Sequence, residues 1–201
     1  MIRLLPDYKL IIKALWLAVF SPGQVLENQK RVAIIMKYGW IFIMIRWVYY
    51  SFFFAFFRDY HGSWEPFSPV PFGMSIDTYA FFQIRFSIFF GIFLMFCIAL
   101  CLWFYLYFKK KPASLFMIFN ILGITFFLPF LILQPFDLII INTVGWVMYI
   151  IVPLHSAFLI WEAVVTMRIF HHRSLLTPSE QFRGVLLILS VWIILSFLFW
   201  R

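Results

Sequence analysis

Charged side chains are rare in this sequence, 12% of its 201 residues. Acidic ones are rarer still: eight Asp and Glu stand against sixteen Lys and Arg, giving a net charge of +8. With 65% hydrophobic residues, so few charges cannot cover the surface of a water-exposed globule of this length, which excludes a soluble domain. Ten-residue strands of alternating polarity are missing, which excludes a membrane β-barrel. Cysteine is limited to Cys97 and Cys101, four residues apart in one apolar run, so they read as packing residues and exclude a disulfide framework. The sequence has no His-Glu-x-x-His pattern, no Gly-rich phosphate loop and no plausible Ser/His/Asp set, so no catalytic residue, metal ligand or cofactor is assigned and the chain is read as a non-enzyme. The N-terminus has an apolar stripe without a small-residue cleavage site, so a signal peptide is not expected.

What is present is a series of long apolar runs. Runs of 18 or so apolar residues cross a bilayer as helices, because backbone polar groups in lipid must bond within the segment. The expected fold is all-α: a polytopic membrane protein with five transmembrane helices, at about 32–57, 78–108, 113–134, 143–167 and 184–200, in a domain covering 32–201. Residues 1–31 form a separate amphipathic segment. There Leu4, Leu5, Tyr8, Ile11, Ile12, Leu15, Trp16, Val19 and Phe20 fall at helical spacing, while Arg3, Asp7, Lys9 and Lys13 fall off the stripe. That helix is expected to lie in the membrane interface by its apolar face; the alternative is packing on a partner subunit by the same face.

Two segments carry the chemistry of helix starts. Ser21-Pro22-Gly23-Gln24 and Thr177-Pro178-Ser179-Glu180 both read as capping boxes with Pro at the first helical position, each leading into a span. Between the first two spans, Arg58 to Asp77 reads as an ordered, aromatic-rich loop at the interface, with His61 a loop hydrogen-bonder. Pro129 is expected to kink the third span, and Pro135 to Asn142 reads as a short turn carrying Asp137.

Basic residues sort by side. Arg3, Lys9, Lys13, Lys30, Arg31, Lys37, Lys109, Lys110, Lys111, Arg168, Arg173 and Arg183 fall on one side of the five spans. The other side receives only Arg58, Arg85 and Arg201, with Asp59, Glu65, Asp77 and Asp137. The positive-inside rule then puts the N-terminus inside and the C-terminus outside, in the inner (cytoplasmic) membrane if the source is prokaryotic. The same placement explains the net charge by contact with anionic lipid of the inner leaflet, and excludes nucleic acid as a partner, since no basic stripe with aromatic platforms lies outside the bilayer.

Glu162 stands inside the fourth span, where an unpaired charge costs roughly 2.5–3.5 kcal/mol or more. Arg46, in the first span, falls at a similar depth and is its expected partner. A pair of this kind mainly fixes helix register; a proton or ion path is the alternative. His155 precedes Glu162 by seven residues on one helix face, and Asn120 adds a polar group in the third span, so Arg46, Glu162, His155 and Asn120 form a candidate intramembrane polar network. His155 is the lone histidine within a span, which argues against a bis-histidine haem inside the chain. Lys9, Lys13, Trp16, Arg168, His171, His172 and Arg173 are candidate lipid or partner contacts at the inner surface.

Together, the amphipathic N-terminal segment, the Ser21-Pro22 start before the first of five spans, the basic turn Lys109-Lys110-Lys111 after the second and the Thr177-Pro178 segment before the last resemble the layout of the Ypt-interacting-protein family. Eukaryotic members carry an Asp-Leu-Tyr-Gly-Pro element near the first span and Gly-Tyr in the third. Here Ser21-Pro22-Gly23-Gln24 and Gly123-Ile124 stand in those places, which is nearer to prokaryotic-type members. The resemblance implies a membrane-organising scaffold without catalysis. An accessory subunit of a larger respiratory or transport complex, with other membrane subunits as partners, and a small transporter using Glu162, His155, Arg46 and Asn120 are the two further readings.

Overall fold

A computed structural model describes residues 8–61, 75–111, 113–144, 148–174 and 176–199. Among these there are six α-helices and no strand: α1 Tyr8–Phe20, α2 Gln29–His61, α3 Ile76–Phe108, α4 Leu115–Val144, α5 Met148–Ser174 and α6 Pro178–Phe199, with one 3-10 turn at Pro22–Gln24. Five of them, α2 to α6, are long and apolar enough to cross a membrane, and the chain is an integral membrane protein. Of the segment Arg58 to Asp77, expected as a loop, residues 58–61 (His61 among them) continue α2 and residues 76–77 open α3, while residues 62–74 lie outside the described residues.

α4 is the axis of the bundle. It packs on α1, α2, α3 and α5, and 67% of its spanning segment is buried, against 11% for α6, which lies mainly along α3 and α5. Without a hydrophobic drive between helices in lipid, close approach depends on small residues. α2 and α4 meet through Gly39 and Gly123: a Cβ on Gly123 would collide with the Gly39 carbonyl, and one on Gly39 with the backbone of Asn120. Gly91 of α3 lies under the Trp47 ring of α2, and Gly184 of α6 against Met167 of α5.

Helix ends follow local chemistry, with one reassignment. At α6 the reciprocal capping box forms as its sequence requires: Glu180 N–H donates to Thr177 Oγ1 at 3.3 Å and Thr177 N–H to Glu180 Oε2 at 2.9 Å. At Ser21 no side-chain cap forms, and the chain makes only the 3-10 turn. α2 instead starts seven residues later, where Asn28 Oδ1 accepts from Lys30 N–H at 2.9 Å and Arg31 N–H at 3.2 Å. α3 ends in a Schellman turn with Lys110 at φ 55°. Lys111 N–H there bonds Leu106 O, and Lys110 N–H bonds Tyr107 O.

Two expectations change in three dimensions. α1 turns Ala14, Leu17 and Ala18 onto the bundle, while Tyr8, Ile12, Trp16 and Phe20 of the expected stripe face outward beside exposed Lys9 and Lys13. The small residues allow the close approach, so α1 has two apolar faces and docks on α4, α2 and α5. α4 does not stop at Gln134. It runs through Pro135 to Val144, so Asp137 is a helix residue and not part of a turn. Prolines persist inside membrane helices because neighbouring groups re-satisfy the backbone.

Candidate functional site

The polar side chains that the apolar spans contain gather along the seam of α2, α4 and α5, at two levels. The deeper level holds the charges. Arg46 of α2 and Glu162 of α5 are 4% and 2% exposed, and Arg46 Nη1 lies 2.7 Å from Glu162 Oε1. The same Nη1 donates to Phe126 O of α4 at 2.6 Å. Phe126 O lies one residue past Thr125 O, the carbonyl that Pro129, lacking an N–H, cannot bond within the helix. One guanidinium therefore ties three helices together. Four rings surround it, with centroids 5.2–5.8 Å from Cζ: Tyr50, Phe126, Phe130 and Trp192. Nε has no acceptor among the described residues, and the ring faces supply cation–π attraction in its place. Trp192 of α6 stacks on both Trp47 and Phe126, which closes the cage from the fourth side.

On the basic side of this pair, hydroxyls continue the seam. Thr166 Oγ1 donates to Glu162 O at 2.8 Å and lies 2.7 Å from Thr125 Oγ1, with both threonines fully buried. Asn120 belongs to a separate contact. Its Oδ1 accepts from Trp40 N–H at 2.9 Å and its Nδ2 donates to Phe116 O at 2.8 Å, reinforcing the Gly39–Gly123 crossing.

The second level lies toward the opposite end. His155 Nε2 is 2.9 Å from Asp137 Oδ1, with the carboxylate buried and the imidazole 36% exposed. His155 is thus not joined to Glu162 by a hydrogen bond; seven residues along α5 separate them by about 10 Å. Asp137 is the residue that the sequence reading missed as a site member. The signal was present: Phe136 and Leu138 to Ile141 continue the apolar run past Pro135, which marks Asp137 as intramembrane. Of the four expected network members, the structure joins Arg46 with Glu162, gives His155 to Asp137 and sets Asn120 apart.

The expected surface contacts divide as well. Arg168, His172 and Arg173 are exposed at the basic end, with Lys9, Lys13 and Trp16 exposed on α1. His171 turns inward, and its Nδ1 bonds Leu176 O in the α5–α6 connection. His172 lays its ring over Gly23 of the 3-10 turn. At the same end Glu180 draws α3 to α6, with Lys111 Nζ at 3.0 Å from Oε2 and Lys109 Nζ at 3.9 Å from Oε1. Among the described residues no three His, Cys, Asp or Glu side chains converge as metal ligands. Comparison with family models, curated proteins and solved structures finds no match for this chain.

Proposed function

We propose that this integral membrane protein is a non-enzymatic scaffold that works through helix and lipid contacts, with its basic end at the cytoplasmic face. The observation that carries this reading is how the polar and apolar groups are distributed. The strongest intramembrane charges are consumed by each other inside an aromatic cage, whereas the outward surface is built for contact. On α3 the exposed Phe86, Phe89, Phe93, Phe96 and Phe104 form an aromatic ridge, and on α6 Phe182, Leu186, Ile193 and Phe197 face out. α1 adds a lysine-flanked arm, with the Trp16 and Phe20 rings tilted against each other at 4.2 Å, suited to the headgroup level of an anionic leaflet. The layout resemblance to the Ypt-interacting-protein family fits the same role.

A second reading, an accessory subunit of a larger membrane complex, is favoured by α6 alone: a span only 11% buried by its own chain leaves nearly its whole flank for another subunit. Purification of the intact protein in mild detergent, followed by identification of co-purifying chains, separates the two. A lone monomer or homo-oligomer supports the scaffold reading. A fixed-ratio complex with respiratory or transport subunits replaces it with the second. Cysteine accessibility to impermeant reagents at residues 110 and 173 tests the orientation; labelling from the outer side would reverse it.

A further inference from the structure

Arg46 and Glu162 neutralise each other, but the second polar level is not sealed in this way. Asp137 is buried in α4 and His155 is half-exposed on α5, each two residues after a proline, Pro135 and Pro153. Each also lies about 10 Å from the far end of its helix, near the membrane boundary and within reach of solution on that side. One turn deeper on α4, on the same face as Asp137, sits Gln134. It is 6% exposed, and neither Nε2 nor Oε1 has a hydrogen-bond partner among the described residues. An amide buried in this way in lipid costs free energy unless it binds something polar, and an internal water needs only two to four polar partners.

We propose that Asp137, His155 and Gln134 form a proton-binding site: the Asp137–His155 pair takes up one proton from solution and holds it along the Oδ1···Nε2 hydrogen bond, while the Gln134 amide binds the water through which that proton exchanges. Uptake makes only an N–H or O–H bond and needs no co-reactant. A neutral pair keeps a buried carboxylate from standing as a lone charge, which is the physical reason for the proton to reside there. This site stands independently of the scaffold reading.

The groups that could compete are few. α2 brings Tyr49 and Tyr50 to this level, and Arg46 below it. α5 brings Glu162, already bonded to Arg46. α6 has no ionisable side chain from Gly184 to Phe199. On α3, Arg85 is exposed and stacked 4.1 Å over Phe81. The side chains of Arg58, Asp59, His61 and Asp77 lie outside the described ones.

The test uses the full-length protein with 15N-labelled histidine in phosphatidylcholine nanodiscs, titrated over about pH 5 to 8, the range of histidine. The His155 ring signal, assigned by its loss in His155→Gln, is expected to change across this range, and the midpoint of that change to move in Asp137→Asn, which removes the hydrogen-bonded carboxylate. Gln134→Leu, which keeps the pair, is expected to move it by roughly threefold or more in affinity. A His155 ring that stays in one protonation state throughout, or a midpoint unmoved in Asp137→Asn, overturns the site. A midpoint unmoved in Gln134→Leu removes Gln134 and its water from it. If Asp137→Asn does not fold, the melting temperatures of the wild type and His155→Gln are compared over the same range: a difference that changes with pH in that window supports the site, and parallel profiles overturn it.

Discussion

The two polar levels of the α2–α4–α5 seam solve one problem in opposite ways. At the deeper level a full ion pair is held at 2.7 Å, bonded to a third helix through Phe126 O and covered by four aromatic rings. The two charges there cancel, and a pair so enclosed fixes which helix faces which. At the far level Asp137 is paired, among the described residues, with His155, and that partner is more than a third exposed. Depth explains the difference. Near the bilayer centre a charge cannot reach water, so it must be cancelled completely, whereas near the boundary a titratable partner suffices. The lesson is that intramembrane charge in this protein is structural where it is sealed and reactive where it is not.

The largest expected effect breaks the sealed level. Glu162→Gln or Arg46→Gln leaves one buried group without its counter-charge and should cost about 3–5 kcal/mol. The double variant should cost clearly less than the two losses added together. Thermal denaturation of the four proteins in detergent measures the coupling, and strict additivity would show that the pair does not act as a unit.

Removing the far pair should cost less. His155→Gln, which keeps a polar group beside Asp137, is expected to lose about 1–2 kcal/mol in the same assay. A loss equal to that of Glu162→Gln would erase the distinction between the levels.

The frame that both levels share can be strained directly. Gly123→Val forces apart the α2–α4 crossing and should destabilise by about 1–3 kcal/mol through overpacking. Glycine at position 123 would be dispensable if the variant melted with the wild type. Smallest is the end of the bundle, remote from both levels. Thr177→Ala removes the α6 cap and should cost about 1 kcal/mol. It should also add to the Glu162→Gln loss without coupling, since the two sites share no partner.

Much of this was legible along the chain. The five spans are visible because a bilayer asks for length and apolarity, which are local properties of each run. Arg46 and Glu162 could be matched because depth follows from counting residues along straight helices. Thr177 and Glu180 could be read because a capping box closes within four residues. Ser21 misled because the same pattern with Pro22 and Gly23 closed only a 3-10 turn, and Asn28, seven residues on, accepted from two free N–H groups of α2. Pro135 misled more seriously. A proline that would end a helix in water is carried through in a packed membrane helix, and reading it as a stop hid Asp137.

By itself, then, the sequence determined the solvent, the helix count and the depth of Arg46 and Glu162, because these depend on the bilayer and on residues near one another in the chain. Only the tertiary structure decided which face of α1 docks, that Arg46 reaches Phe126 O inside an aromatic cage, and that His155 belongs to Asp137. Those facts depend on how far helices rotate and how closely their glycines let them approach. Rotation and approach are set by packing between segments up to 116 residues apart, which no local pattern encodes.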